Sequence, residues 1–137
     1  MASHQFFVMI KPDGVSRGLV GEIIKRFERK GFVLKGMKMV DSFNHKPLIE
    51  THYEIYQDQS FYSELISFIT SGYVVAMIWE GNIKVARKMI GETLPWEAEP
   101  GTIRGDYACK LPHNLIHCSD GVENAKREVE LWEKVLV

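Results

Sequence analysis

Residues 6–10 (FFVMI) form an unbroken apolar run that stops at Lys11-Pro12-Asp13-Gly14. A short apolar run closed by turn residues reads as a buried strand. Leu19, Val20, Ile23, Ile24 and Phe27 then recur at helical spacing, and Gly31 sits where a helix C-cap belongs. Residues 32–40 (FVLKGMKMV) read as a second strand. Residues 47–56 and 60–69 read as two short helices, the second ended by Ser71-Gly72. Residues 73–79 (YVVAMIW) are the clearest strand, bounded by Gly72 and Gly81. Residues 83–90 form a further short helix.

The periodicity then breaks. Residues 91–106 carry three Gly and two Pro and show no period, the mark of a long ordered loop, and such loops often carry function. Residues 107–111 read as a last strand. Val122, Ala125, Val129, Trp132 and Leu136 mark a final amphipathic helix, with Ser119 or Asp120 as its N-cap. The order β-α-β-α-α-β-α-loop-β-α predicts an α/β chain, an α+β sandwich, in one domain spanning 1–137. The pattern alone leaves the sheet parallel or antiparallel.

Composition narrows the class. A hydrophobic share of 45% and a charged share of 26% in 137 residues suit a globular chain that buries its own core. The net charge of -1 argues against a partner held by bulk electrostatics, so no nucleic acid is required. Cys109 and Cys118 are too few for a disulfide scaffold. The run at 6–10 is too short for a signal sequence or a membrane span, so a cytoplasmic location without a membrane partner is expected.

Neither G-x-x-x-x-G-K-[ST] nor G-x-G-x-x-G after a strand occurs. Phosphate handling would therefore fall to side-chain cations, with Lys11, Arg87 and Arg104 as candidates. Any one of them alone is more often a solvated surface charge. His117, within Asn114-Leu115-Ile116-His117-Cys118-Ser119-Asp120, precedes a helix start, where a phosphate meets unpaired N–H groups. A neutral imidazole is a good nucleophile when its second nitrogen is oriented. Glu128 falls about 70° from the centre of the last helix's apolar face, which allows it to tuck inward. A structural or capping histidine is the commoner alternative. Zinc at His113, His117 and Cys118 is disfavoured because the spacing matches no common pattern. Tyr53, Phe61, Tyr62 and Phe68 form an aromatic stripe of the kind that usually packs a core, though one of them could stack on a base.

The segments MIKPDGVSRGLVGEIIKRFERKGF (9–32), HY (52–53), SGYVVAMIWEG (71–81), GET-x-P (91–95), PGTIRGD (100–106) and NLIHCSD (114–120) occur in one order. In that order they resemble the nucleoside diphosphate kinase family over residues 4–132. NLIHCSD is similar to that family's N-x-x-H-[GA]-S-D signature. The resemblance implies a ferredoxin-like βαββαβ core with an antiparallel sheet and helices on its faces. It implies a ping-pong reaction in which ATP phosphorylates His117 and a nucleoside diphosphate takes the group. By position, Glu128 would orient the histidine, with Ser119 beside it and Tyr53 near the nucleophile. Lys11 would contact phosphate and the sugar 3′-OH, and Asn114 the sugar. Arg87, Thr93 and Arg104 would clamp phosphate. Phe61 would stack on the base, flanked by Leu65 and Leu111. Mg²⁺ would arrive with the nucleotide, held mainly by its phosphates.

The chain departs from the pattern at Cys118, Leu94, Trp96 and Tyr73, and it is two residues short between Gly81 and Arg87. Cys118 is either a packing substitution or a redox-sensitive sulfur beside the nucleophile. The stretch after Trp132 is shorter than in many members, and a homo-oligomer is expected, a hexamer rather than a tetramer. A catalytically silent nucleotide-binding or regulatory module of the same fold would have lost the His, the Lys or an Arg, and all are present. A histidine phosphatase would want an Arg-His-Gly cluster, which Arg104-Gly105-Asp106 lacks.

Overall fold

The computed structural model describes residues 3–136. Along the chain run β1 (His4–Ile10), α1 (Pro12–Ser16), α2 (Val20–Lys30), β2 (Val33–Asp41), α3 (Lys46–His52), α4 (Tyr62–Ile69), β3 (Tyr73–Gly81), α5 (Ile83–Ile90), α6 (Ile103–Tyr107), β4 (Ile116–Cys118) and α7 (Val122–Leu136). The strands form one antiparallel sheet in the order β2-β3-β1-β4, the ferredoxin-like arrangement.

The apolar runs are explained by position. β1 and β3 are the central strands, and alternate side chains enter two separate cores. Phe6, Val8 and Ile10, paired with Trp79, Met77 and Val75, pack against Ile23 and Phe27 of α2 and Ile83, Ala86 and Ile90 of α5. Phe7 and Met9, with Val74 and Ala76, pack against Ile49 of α3, Leu65, Ile66 and Ile69 of α4 and Trp132 of α7. Strands covered on both faces lose the apolar/polar alternation and read as continuous runs. Trp79 stacks on Phe27 at 5.1 Å between centroids, and truncating either to Ala would cost about 3–5 kcal/mol.

Gly31 ends α2 in the left-handed region at φ +100°, a conformation that glycine adopts without steric cost.

The final strand is where the sequence pattern misleads. Residues 107–111 do not pair: Tyr107 closes α6, and residues 108–115 form a loop. The strand is Ile116–Cys118, laid on the free edge of β1 with Met9 opposite His117. The apolar residues of YACKL imitate a strand, but β1 offers only a short ladder, and 116–118 takes it. The aperiodic stretch 91–106 is partly helical, with a 3-10 turn at Pro95–Glu97 and the start of α6. α7 begins at Val122, so Gly121 occupies the N-cap position; Ser119 is buried instead, and Asp120 accepts from Asn124 at 2.8 Å. The helix expected over 47–56 ends at His52, followed by a 3-10 turn at Glu54–Tyr56.

Candidate active site

The end of β1, the edge strand β4, the 91–106 loop and the start of α7 meet at one cavity of about 530 Å³, within the usual range for small-ligand sites. Lys11, Tyr53, Phe61, Leu65, Arg87, Thr93, Arg104, Leu111, Asn114, His117 and Glu128 all line it. Ser119 stands behind the wall.

A tight turn sets the position of His117. Leu115 has φ +75°, and Ile116 N–H donates to the Asn114 carbonyl at 2.9 Å. That i to i+2 bond closes a γ-turn, rare and strained for a residue with a side chain. It is held from both sides: Leu115 N–H donates to Asp13 Oδ2 at 3.1 Å, and its carbonyl accepts from Lys11 N–H at 2.8 Å. The strand end that carries Lys11 is thereby tied to the segment that carries Asn114 and His117. Gly14 is required at this crossing, because a Cβ there would stand 2.7 Å from Ile10 Cγ2 and 3.1 Å from the Leu115 carbonyl oxygen.

His117 Nε2 lies 2.9 Å from Glu128 Oε1. Ser119 Oγ donates to the same oxygen at 2.7 Å and accepts from Phe7 N–H at 3.0 Å. Burial first, then Lys11, Arg104 and Arg87, holds the His117 ring well below its usual pKa. The ring is thus neutral at pH 7. With Nε2–H donated to the carboxylate, Nδ1 keeps an unshared lone pair. Burial raises the Glu128 carboxyl, against the pull of His52, Ser119 and Arg127.

The cations differ in their freedom. Lys11 Nζ donates to Asn114 Oδ1 at 2.7 Å, and burial, aided by Arg104, lowers its pKa to about 7. Arg87 donates to a single backbone carbonyl among the described residues, that of Cys118 at 3.0 Å. Arg104 is almost fully buried. It donates to the carbonyls of Asn114 (3.3 Å), Gly91 (3.1 Å) and Ile116 (2.6 Å). It therefore staples the long loop to β4 as well as lending charge. Asn114 Nδ2 reaches the Thr93 carbonyl at 3.0 Å, a second link to that loop.

Tyr53 is buried, and its hydroxyl has no hydrogen-bond partner among the described residues. Phe61 and Leu111 are exposed at the mouth, where an apolar plate can be stacked upon. Cys118 is buried, and its thiol is pushed up to about 12, chiefly by burial. Burial of this kind keeps a thiol protonated and poorly reactive, which supports the packing reading of Cys118 over the redox-sensitive one.

The sequence pattern gave no role to His52. Its ring lies 4.5 Å from that of His117. The HY pair among the matching segments was the only signal available. The ligand atoms of His52, His117 and Glu128 fall within 4.8 Å of one another. His52 Nδ1 accepts from Trp132 Nε1 at 2.9 Å, however, so its proton sits on the nitrogen a metal would need. A metal-ligating histidine donates from its other nitrogen; here that nitrogen accepts. His113, the other histidine considered as a ligand, packs against Phe68, with ring centroids 4.3 Å apart and planes tilted by 32°.

A family model described as "Nucleoside diphosphate kinase" matches residues 4–135. "Nucleoside diphosphate kinase 1" of Arabidopsis thaliana is 54% identical over 131 residues, covering 94% of this chain and 87% of the relative. "Nucleoside diphosphate kinase" of Synechococcus sp. strain CC9311 is 55% identical over 134 residues, covering 96% and 87%. Among solved structures, nucleoside diphosphate kinase of Encephalitozoon cuniculi superposes with a TM-score of 0.89 at 45% identity, covering 93% of this chain and 87% of that one. A halophilic nucleoside diphosphate kinase of Halobacterium salinarum in complex with CDP gives a TM-score of 0.90 at 44% identity, covering 96% and 88%.

Proposed function

The chain belongs to the nucleoside diphosphate kinase family, and we propose that it carries the transferred phosphoryl group on His117 Nδ1. The observation that carries this reading is the 2.9 Å contact between His117 Nε2 and Glu128 Oε1, which leaves the other nitrogen free in a cavity ringed by cations.

In the first half-reaction the Nδ1 lone pair attacks the γ-phosphorus of ATP. An N–P bond forms, the bond from phosphorus to the bridging oxygen breaks, and its electron pair leaves with ADP. The Nε2 proton stays in place, and Glu128 balances the positive charge that develops on the ring. A nucleoside diphosphate then attacks the phosphohistidine, and the steps reverse. Such transfer asks the protein chiefly to position groups and neutralise charge. Lys11, Arg87 and Arg104 supply the charge, with Thr93 and the unpaired Tyr53 hydroxyl as neutral donors. Asn114, bonded to Lys11, is set for the sugar hydroxyls. Stacking between Phe61 and Leu111, above Leu65, reads no base edge and so tolerates any base.

Magnesium fits as a companion of the nucleotide. Glu64 and Asp120 are exposed carboxylates lining the cavity, while Glu128 Oε1 is already engaged, so the donor set is a rim and not a cage. Bound with the phosphates, Mg²⁺ would neutralise their charge, with Asp120 available to its hydration shell.

We place the reaction in the cytoplasm, in one catalytic domain that works as a homo-oligomer, with a hexamer favoured over a tetramer. β2 is an open sheet edge with Val33, Met37 and Met39 about half exposed, a surface that self-association would cover. No helix among the described residues is long and apolar enough to cross a membrane.

The test is the intact mass after brief exposure to Mg-ATP, then to ADP. The expected result is a gain of one acid-labile phosphoryl group that ADP removes and His117→Ala abolishes. Turnover retained in His117→Ala would sink the mechanism. Nucleotide binding without any gain would favour a silent binding module.

A further inference from the structure

We infer that His52 is a positioning residue for phosphoryl transfer, acting through Glu128 to keep the His117 proton on Nε2. The inference rests on the His117 mechanism proposed above and goes beyond it.

An indole N–H can only donate. Trp132 Nε1 stands 2.9 Å from His52 Nδ1, so Nδ1 is an acceptor, and a neutral ring must carry its proton at Nε2. Trp132 cannot turn away, because Phe7 stacks on it at 4.7 Å and an interplanar angle of 17°. Burial first, then His117, Arg127 and Lys11, holds the His52 ring well below its usual pKa against the pull of Glu128, which favours the uncharged ring. The tautomer of His52 is therefore fixed by a residue of α7, one turn beyond Glu128.

The fixed proton has no full partner. His52 Nε2 is buried and makes no hydrogen bond among the described residues. The acceptor it faces is Glu128 Oε2 at 3.9 Å. Glu128 uses its two oxygens unequally. Oε1 takes His117 and Ser119, whereas Oε2 faces His52 and Arg127 Nη2, the latter at 3.8 Å. A buried donor without a partner is costly. Phenylalanine would remove this donor but leave the Trp132 N–H without its acceptor, so Trp132 accounts for Nδ1, whereas the Nε2–H turned toward Glu128 is what packing does not account for.

The arrangement matches what the nucleophile needs. Glu128 is buried, and burial favours its protonated form. A protonated Glu128 would no longer require Nε2–H of His117, and the ring could place its proton on Nδ1, where it blocks attack. A dipole held on Oε2 favours the ionised carboxylate and keeps Oε1 aimed at Nε2. No proton moves in this role. Conserving the charge and aim of Glu128 is the whole function.

The experiment uses the full chain with ¹⁵N-labelled histidine. Imidazole shifts report the His117 tautomer, rapid quench at saturating Mg-ATP reports the rate of phosphorylation, and equilibrium titration reports the Kd for ADP. In His52→Phe the His117 tautomers should mix and the rate should fall about tenfold or more, while Kd stays within about twofold, as for loss of an outer partner of a reacting group. His52→Gln, which retains a donor, should recover part of the rate. A wild-type rate in His52→Phe, or rate and ADP affinity falling together with the His117 tautomer unchanged, would overturn the inference. If His52→Phe does not fold, Trp132→Phe decides: it frees the His52 tautomer, and an unaltered rate and His117 spectrum would equally overturn it. A wild-type chain that takes no phosphoryl group would refute the His117 mechanism instead, so the two failures are told apart.

Discussion

Glu128 Oε1 accepts from two side chains at once, His117 Nε2 at 2.9 Å and Ser119 Oγ at 2.7 Å. The hydroxyl is itself fixed by Phe7 N–H on β1, so the carboxylate's orientation is referred back to the central strand. Glu128→Gln keeps the size and removes the charge. Because the amide can present either end to Nε2, the expected result is a fall of about 10–100-fold in the single-turnover rate with little change in nucleotide affinity. A rate within twofold of wild type would show that the contact is only structural.

Arg104 makes a second, less obvious prediction. Its three nitrogens are bound to three backbone carbonyls on two segments. Charged hydrogen bonds contribute about 1.5–3 kcal/mol each where they can be separated, and these share one side chain. Arg104→Ala should therefore lower stability by about 2–4 kcal/mol as well as weaken ADP binding. Arg87, with one such bond, should lose binding with little loss of stability when mutated to Ala. Denaturant melts alongside binding titrations check the split, and equal stability losses in the two variants would contradict it.

Much of this was legible in the sequence, for a physical reason. β1 and β3 are buried on both faces, so their apolar runs could hardly be anything but central strands. Lys11 and His117 lie in local settings, a strand end and the approach to a helix, that the chain order itself reveals. β4 was not legible: three residues carry no periodicity, and only the free edge of β1 selects 116–118 over 107–111. Arg104's engagement with carbonyls and His52's bond to Trp132 depend on contacts across 10 to 80 residues of sequence, which no local pattern encodes.

The same loop gives a backbone prediction. A Cβ on Gly105 would drive into the Glu99 carbonyl oxygen and reach 2.7 Å from Thr102 Oγ1. Thr102 Oγ1 cannot yield freely, because it caps α6 by accepting from Gly105 N–H at 2.9 Å. Gly105→Ala should displace the 99–105 turn, at a cost of about 1–3 kcal/mol. Gly21→Ala, with open space around its Cβ, is the control and should be neutral or slightly stabilising. Thermal melts that rank the two equally would reject this account of the loop.

The cysteines should behave oppositely. Cys109 is exposed and Cys118 buried, with the Cys118 thiol pushed up to about 12. Alkylation of the native protein at pH 8 should label Cys109 and spare Cys118, and mild peroxide should leave phosphorylation of Cys109→Ser unaffected. Inhibition of that variant, relieved by Cys118→Ala, would restore a redox role to Cys118.

Lys11 gives the protein a pH response with a definite sign. Burial first, then Arg104, holds its ammonium to about 7, with Asp13 opposing. Bound phosphate favours the charged lysine, so the pKa in the complex lies higher than in the free protein. Below pH 7 the free protein already carries the proton, and Lys11 adds no pH dependence to affinity. Above pH 7 each binding event must take up a proton, and affinity should fall by up to about tenfold per pH unit until the pKa of the complex is reached. Calorimetry of ADP binding in buffers of different ionisation enthalpy should show uptake rising from about half a proton at pH 7 toward one near pH 8.5. Lys11→Gln should bind more weakly and lose this uptake. If wild type takes up no proton at pH 8, Lys11 is already charged in the free protein, and the buried cavity wall does not tune it.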